Sequence, residues 1–219
     1  MTISSEILGP ILLSLRVSAL STLIVVPLAV GIAWVLARTA NHGKSLLISL
    51  VNLPLVLPPV VTGYLLLDVL GRRGPLGGLG LAFTWWAAVA AAVVVSVPLA
   101  VWTTRVALEG VDPALENAAR VLGRNEWQVF AEVTVPLARR GIAGGAVLAF
   151  ARSLGEFGAT IVVAGMTAGE TLTIPSAVFL YMQDDSMGSA ARALVWISAG
   201  ISFAALLLVN ATAWSAARR

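Results

Sequence analysis

Long apolar runs dominate the chain and are separated by short polar segments. Four stretches with an uncharged core reach the length of about 20 residues that an α-helix needs to cross a bilayer, and a fifth carries only two charges. The pattern predicts five membrane-spanning helices, at about residues 11–37, 45–69, 82–104, 142–166 and 193–216. The apolar run at 171–183 is too short to cross, so we expect a short outer helix or a re-entrant segment there.

Composition excludes a soluble globule. Hydrophobic residues make up 58% of the 219 positions and charged residues only 11%, against about 25% charge in a typical soluble domain. Disordered chains are poor in apolar residues, so disorder is excluded as well. The prediction is an all-α membrane protein whose residues 1–219 form a single transmembrane domain.

The distribution of basic residues predicts an orientation. If the N-terminus lies outside, nine of the 14 basic residues fall in inner segments, including Arg218 and Arg219, and three fall outside. Because basic residues concentrate on the cytoplasmic side, we expect the N-terminus outside and the C-terminus inside. Basic residues scattered among short loops form no patch for nucleic acid, and the lipid bilayer explains them better.

No catalytic or metal site is expected. The chain has no cysteine and one histidine, His42, which leaves little scope for a nucleophile or a metal centre. Gly43-Lys44-Ser45 resembles the end of a phosphate-binding loop, but that motif needs glycine five positions before Gly43, where Arg38 stands. The chain is therefore predicted to bind no cofactor of its own.

The polar loop at 105–141 predicts two short helices. Asp112-Pro113 is typical of a helix start, and Gly123 suits the end of that first helix. Asn125 followed by Gln128 resembles a capping box for a second helix, which we expect to end at Pro136.

The residues leave two interpretations of this loop open. It packs against its own bundle, or its amphipathic helix pair fits a groove on a partner protein.

A resemblance to a known family bears on that choice. Glu116-Asn-Ala118-Ala119, Gly123 and Val133-x-Val135-Pro136 resemble the E-A-A…G…I-x-L-P loop of importer-type ABC permeases. Asn117 departs from the pattern, because glutamate often stands there, and the aliphatic positions hold valine. Four further segments resemble the permease subunit of molybdate ABC importers, so that the resemblance covers nearly the whole chain: Leu53–Tyr64, Leu108–Asp112, Ala149–Thr160 and Gly169–Ala177.

The resemblance implies a type I importer permease of the MetI-like fold in the bacterial inner membrane. Such a permease forms a homodimer, docks two copies of an ATPase subunit that hold ATP and Mg, and receives its oxyanion from an extracytoplasmic binding protein. Tungstate or sulfate are alternative substrates. Two other classes, a non-transporting scaffold and an intramembrane enzyme, fit the sequence less well.

The resemblance also implies a coupling helix at Pro113–Leu122, seated in a groove of the ATPase. The residues expected to couple the permease to the ATPase are Glu116, Ala118, Ala119, Gly123 and Pro136.

Residues of a translocation pathway or gate are expected where a span is broken by proline or carries charge. Pro58 and Pro59 kink the second span, either to line a pathway or only for packing. In the fourth span, Arg152 and Glu156 are four residues apart and either neutralise each other or lie near an anion pathway, where Ser153 and Thr160 would offer donors.

Overall fold

Helices make up most of the part of the chain that the structure describes. The computed structural model describes residues 3–38 and 43–217, with side chains for 6–38 and 43–207, so His42, Arg218 and Arg219 lie outside the described residues. No strand occurs within these ranges. The helices are α1 (Ile3–Arg38), α2 (Gly43–Val56), α3 (Pro59–Leu70), α4 (Trp85–Glu109), α5 (Pro113–Val121), α6 (Glu126–Val129), α7 (Val135–Leu154), α8 (Gly158–Val163), α9 (Ile174–Tyr181) and α10 (Gly188–Ala217).

Four of the described helical segments are long and apolar enough to cross a membrane, and a bent pair adds a fifth candidate. The bent pair is α2 and α3, whose axes differ by 111°. The break follows from sequence, because Pro59 disfavours a helical conformation in the residue before it, and Pro58 is extended with φ −54° and ψ 135°. The four single segments are Glu6–Arg38, Trp85–Glu109, Glu126–Leu154 and Asp185–Leu207.

Helix α4 forms the centre of the bundle, packed against α1 and α7. Its inward face is built from small residues, among them Ala87, Ala91 and Ala100, which are all 1% exposed or less. Small residues let membrane helices approach closely. On α7, a methyl group added at Gly145 would lie 2.6 Å from Thr103 Oγ1 of α4, so this glycine is needed for the contact.

The fourth predicted span differs from the structure in its bounds. Helix α7 ends at Leu154, and after a turn at Gly155 the short helix α8 begins at Gly158. The expectation that Pro136 ends a helix is wrong. It lies within the continuous helical segment Glu126–Leu154, directly after a π-helical turn at Phe130–Thr134 that interrupts the regular α-helical hydrogen bonding.

The short run after the fourth span forms α9, a helix buried against α1 and α10. Ser14 of α1 stabilises its start, since Ser14 Oγ accepts a 2.7 Å hydrogen bond from the backbone N–H of Ile174. At its other end, the Tyr181 hydroxyl donates to the backbone carbonyl of Glu6 at 3.1 Å. With eight residues, α9 is too short to cross a bilayer.

Candidate functional site

Helix α5 begins and ends where its sequence predicts. Asp112 accepts a 2.8 Å hydrogen bond from the N–H of Ala114 and so caps the first turn. The chain leaves the helix through Gly123, whose φ of +85° is in the left-handed region that favours glycine. These two turns set α5 apart from the neighbouring helices.

One side of α5 carries apolar side chains with no cover. Leu115 is 49% exposed, Val121 88% and Leu122 82%, and Ala118 between them is also exposed. Their spacing places them along one side of the helix. We call Leu115, Ala118, Val121 and Leu122 the docking face. Of the residues predicted for coupling, Ala118 lies on this face and Ala119 is half-buried beside it.

Glu116 faces the permease, not the docking face. Its side chain is 16% exposed and accepts a 2.6 Å hydrogen bond from the hydroxyl of Thr134, which is buried. Arg38 and Arg120 each donate to the same carboxylate at 3.2 Å. The residue that projects outward beside it is Asn117, where glutamate is common in the resembling loops.

A second carboxylate, that of Glu126, joins the same two arginines. Arg38 Nη1 lies 2.6 Å from Glu126 Oε2, and Arg120 Nε lies 2.6 Å from Glu126 Oε1. The hydrogen bond to Glu126 raises the pKa of the Arg120 guanidinium above its ordinary value, so this group stays charged.

Helix α6 is held against the C-terminal end of α1 by aromatic packing. The capping box is present, with Asn125 and Gln128 each bonding the other's backbone N–H at 2.9 Å. Trp34 of α1 stacks on Trp127 with ring centres 5.2 Å apart and contacts Phe130 at 5.0 Å. The loop thus packs on its own bundle through α6, which agrees with the first interpretation, while α5 keeps an open apolar face and its fit to a partner stays a prediction.

The two broken spans meet inside the bundle. Helix α3 packs against α8, and a methyl group added at Gly158 would lie 2.6 Å from Cβ of Pro59. On α3, a methyl group at Gly63 would lie 2.7 Å from the carbonyl oxygen of Ala159. The structure therefore brings the Pro58-Pro59 break next to the start of α8.

The two charges of the fourth span form an ion pair. Arg152 Nη1 lies 2.8 Å from Glu156 Oε2, and the Glu156 side chain is 3% exposed against 31% for Arg152. The other carboxylate oxygen of Glu156 accepts a 2.9 Å hydrogen bond from the N–H of Ala159 and thereby caps α8. The geometry favours mutual neutralisation at a helix break, because both carboxylate oxygens are already bonded.

Ser153 belongs to a buried hydroxyl cluster that joins three helices. Its Oγ lies 2.9 Å from that of Ser21 on α1 and 2.9 Å from that of Ser96 on α4. Thr160 is buried on α8, 2% exposed. Ser153 is thus bonded within the bundle, and Ser21, Ser96 and Arg38 are partners that the sequence reasoning missed. These partners are 57 to 132 residues apart along the chain, so no short sequence pattern indicates that they are in contact.

Within the described ranges, no cluster of three or more histidine, aspartate or glutamate side chains is arranged to hold a metal ion. The arrangement instead leaves an apolar face of α5 exposed and places two helix breaks next to each other.

These features define an all-helical membrane protein with a short helix, α5, outside its long apolar helices. The fold is shared with solved transporters: the inward-facing methionine ABC transporter matches with a TM-score of 0.70 at 17% identity, over 94% of this chain and 95% of that chain. An amino acid ABC transporter matches with a TM-score of 0.67 at 18% identity, over 94% and 92%. The prediction of a MetI-like type I importer permease fold is confirmed.

Residues 25–215 match the family model described as the binding-protein-dependent transport system inner membrane component, and the chain belongs to this family. It is similar to the molybdenum transport system permease protein ModB of Escherichia coli K12, with 51% identity over 205 residues, 90% of each protein. The ModB protein of Haemophilus influenzae is 46% identical over 203 residues, which are 90% of this chain and 89% of that protein. The resemblance to molybdate permeases is confirmed, and the chain is a multi-pass membrane protein.

Proposed function

We propose that this chain forms the translocation pathway for molybdate in an ATP-driven importer of the bacterial inner membrane. Two copies would enclose the pathway, and a separate ATPase subunit, holding ATP and Mg, would bind the inner loop. An extracytoplasmic oxyanion-binding protein would deliver the substrate. Similarity to ModB proteins named for molybdenum transport supports this substrate.

The observation that carries the proposal is the docking face of α5. An apolar helix face outside the apolar spans, with Val121 and Leu122 more than 80% exposed, costs free energy in water unless a partner covers it. Helix-in-groove recognition uses such a face. The same helix is bonded through Glu116 to the membrane bundle, so a partner's movement there would reach the spans.

Alternating access would follow from movement of the broken helices. ATP-driven association of two ATPase subunits would draw the two docking helices together and so favour one of two permease conformations. The adjoining breaks near Pro59 and Gly158 are where the spans can change direction. The ion pair of Arg152 and Glu156 would keep the break neutral, which suits a conduit that binds its anion weakly.

The test is uptake by the complete complex. The chain is reconstituted in proteoliposomes with its ATPase subunit and its binding protein, and the uptake of radiolabelled molybdate, tungstate and sulfate is followed with and without ATP. We expect ATP-dependent uptake of molybdate that is stronger than that of sulfate. Sulfate uptake that equals or exceeds molybdate uptake would change the substrate, and ATP-independent uptake would refute an ATP-driven importer.

A further inference from the structure

Two arginines and two glutamates at the inner end of the bundle form a closed ring. Arg38 and Arg120 each contact both carboxylates, those of Glu116 and Glu126, at distances of 2.6 to 3.2 Å. We call these four residues the ionic ring. The charges balance, and the ring joins three elements, since Arg38 is the last residue of α1, Glu116 and Arg120 lie on α5, and Glu126 begins α6.

Each of the two covalent attachments of α5 contains a glycine. Toward α4 the chain passes through Gly110 and Val111, and toward α6 it passes through Gly123 and Arg124. A glycine at each side permits the backbone to swing. Noncovalent contacts must therefore fix the direction of α5 relative to the bundle.

The ionic ring supplies those contacts, and it does so through α1. Arg38 spans both carboxylates with one guanidinium group, whose planar donors suit such bridging. Trp34, one helical turn earlier, stacks on Trp127 and fixes the same end of α1 against the loop. Helix α1 in turn runs along the central α4 and α7. A displacement of α5 would thus be passed to the core through α1.

We propose that Arg38 is a positioning residue that makes α1 and the docking helix move as one body. The inference deepens the proposed function, and its transport measurement rests on that function. Loss of Arg38 would free α5 from α1, leaving it bonded to α6 through Arg120 and to the π-helical turn through Glu116. The ATPase would still bind, but its movement would be poorly transmitted to α1. Exposed single ion pairs contribute little, but residues in one network of ion pairs are energetically coupled, and Arg38 is the member that joins this network to α1.

The first measurement is backbone hydrogen exchange of residues 113–121 in the full-length chain in lipid nanodiscs. In Arg38→Gln and in Glu126→Gln we expect exchange faster by about threefold to tenfold. Arg105→Gln is the matched control, since its 2.7 Å ion pair with Glu109 lies within α4 and joins no two elements.

The second measurement is the number of molybdate ions taken up per ATP hydrolysed by the reconstituted complex. Arg38→Gln should lower this ratio by about fivefold, with the amount of assembled complex unchanged. Arg38→Lys keeps the charge but lacks the planar fork, so an intermediate ratio is expected. Arg105→Gln should retain the ratio of the unmodified chain.

Two results would overturn the proposal: unchanged exchange in α5 of Arg38→Gln, or faster exchange with an unchanged ratio of uptake to hydrolysis. Failure of the unmodified complex to take up any oxyanion would instead refute the proposed function, and the exchange measurement would still decide whether Arg38 holds α5.

Discussion

At the scale of single residues, contacts between backbones decide where the broken helices meet. Gly63 of α3 faces Ala159 of α8 so closely that an added methyl group would lie 2.7 Å from its carbonyl oxygen and 2.8 Å from its Cα. Backbone atoms cannot move aside as a flexible side chain does. We therefore expect Gly63→Ala to separate α3 from α8 and to lower the free energy of unfolding by about 1–3 kcal/mol.

The measurement is unfolding by SDS in mixed micelles, followed by circular dichroism. Gly144→Ala in α7 is the control, because an added methyl group there meets nothing within 4 Å. It should stabilise the helix by about 0.5–1 kcal/mol. Equal stabilities of the two variants would show that α3 and α8 are not in this close contact.

The ion pair of Arg152 and Glu156 leads to a second prediction at this scale. Arg152→Ala leaves the buried carboxylate of Glu156 without its cation, and we expect a loss of about 1–3 kcal/mol in the same unfolding measurement. Adding Glu156→Gln should recover most of that loss, since glutamine is neutral and its carbonyl oxygen can still accept from Ala159 N–H.

The double variant also separates stability from transport. If mutual neutralisation is the whole role of the pair, Arg152→Ala with Glu156→Gln restores uptake together with stability. Restored stability with uptake still low would assign Arg152 to the anion pathway. A double variant as unstable as the sum of the single losses would contradict the pairing itself.

At the scale of elements, the docking face of α5 is predicted to bind the ATPase subunit. Val121→Asp places a charge on a side chain that is 88% exposed, so folding should be altered by no more than about 0.5 kcal/mol. A buried charge in the partner's groove, in contrast, should reduce co-purification of the ATPase by about tenfold or more. Ala131→Asp, exposed on the neighbouring π-helical turn, is the control and should retain the ATPase. Loss of the ATPase in both variants, or in neither, would argue against docking through this face.

The elements also show what a sequence can predict here. The start of α5 at Asp112, its end at Gly123 and the capping box of Asn125 and Gln128 were predictable, because each depends on residues at most three positions apart. The ionic ring was not, since Arg38 and Glu116 are separated by 78 residues and only the packing of α1 beside the loop brings them together.

The break after α7 escaped prediction for a different reason. Residues 142–166 are apolar enough for one continuous span, so length and composition alone predict a straight helix. The structure instead uses the side chain of Glu156 to cap a new helix by accepting from Ala159 N–H. In the sequence, a glutamate that caps a new helix cannot be told from one that only forms an ion pair with an arginine four residues earlier. The sequence of Arg152 and Glu156 therefore did not reveal the break.

At the scale of the whole molecule, the orientation in the membrane is a prediction that determines where every partner binds. The basic residues place the loop at 105–141 inside, so that α5 faces the compartment that holds ATP. With five spans, the loop that contains Gly78 then lies outside, where a binding protein can reach it. Reversal of this orientation would place the docking face of α5 out of reach of any cytoplasmic ATPase.

The natural absence of cysteine makes this orientation directly measurable. Gly78→Cys has open space around the added side chain, and Ala131→Cys is exposed beside α5 without belonging to its docking face. The cells have a permeabilised outer membrane and an intact inner membrane. A membrane-impermeant maleimide should label Gly78→Cys at once, and Ala131→Cys only after the inner membrane is permeabilised as well. The reverse pattern would place the N-terminus inside, and the ATPase would then have to contact the loops on either side of Gly78. The segment Gly71–Gly80 consists of short turns with no exposed amphipathic helix. The reverse pattern would therefore remove the physical basis for coupling through α5. The expected pattern leaves α5 as the element through which ATP hydrolysis can act on the spans.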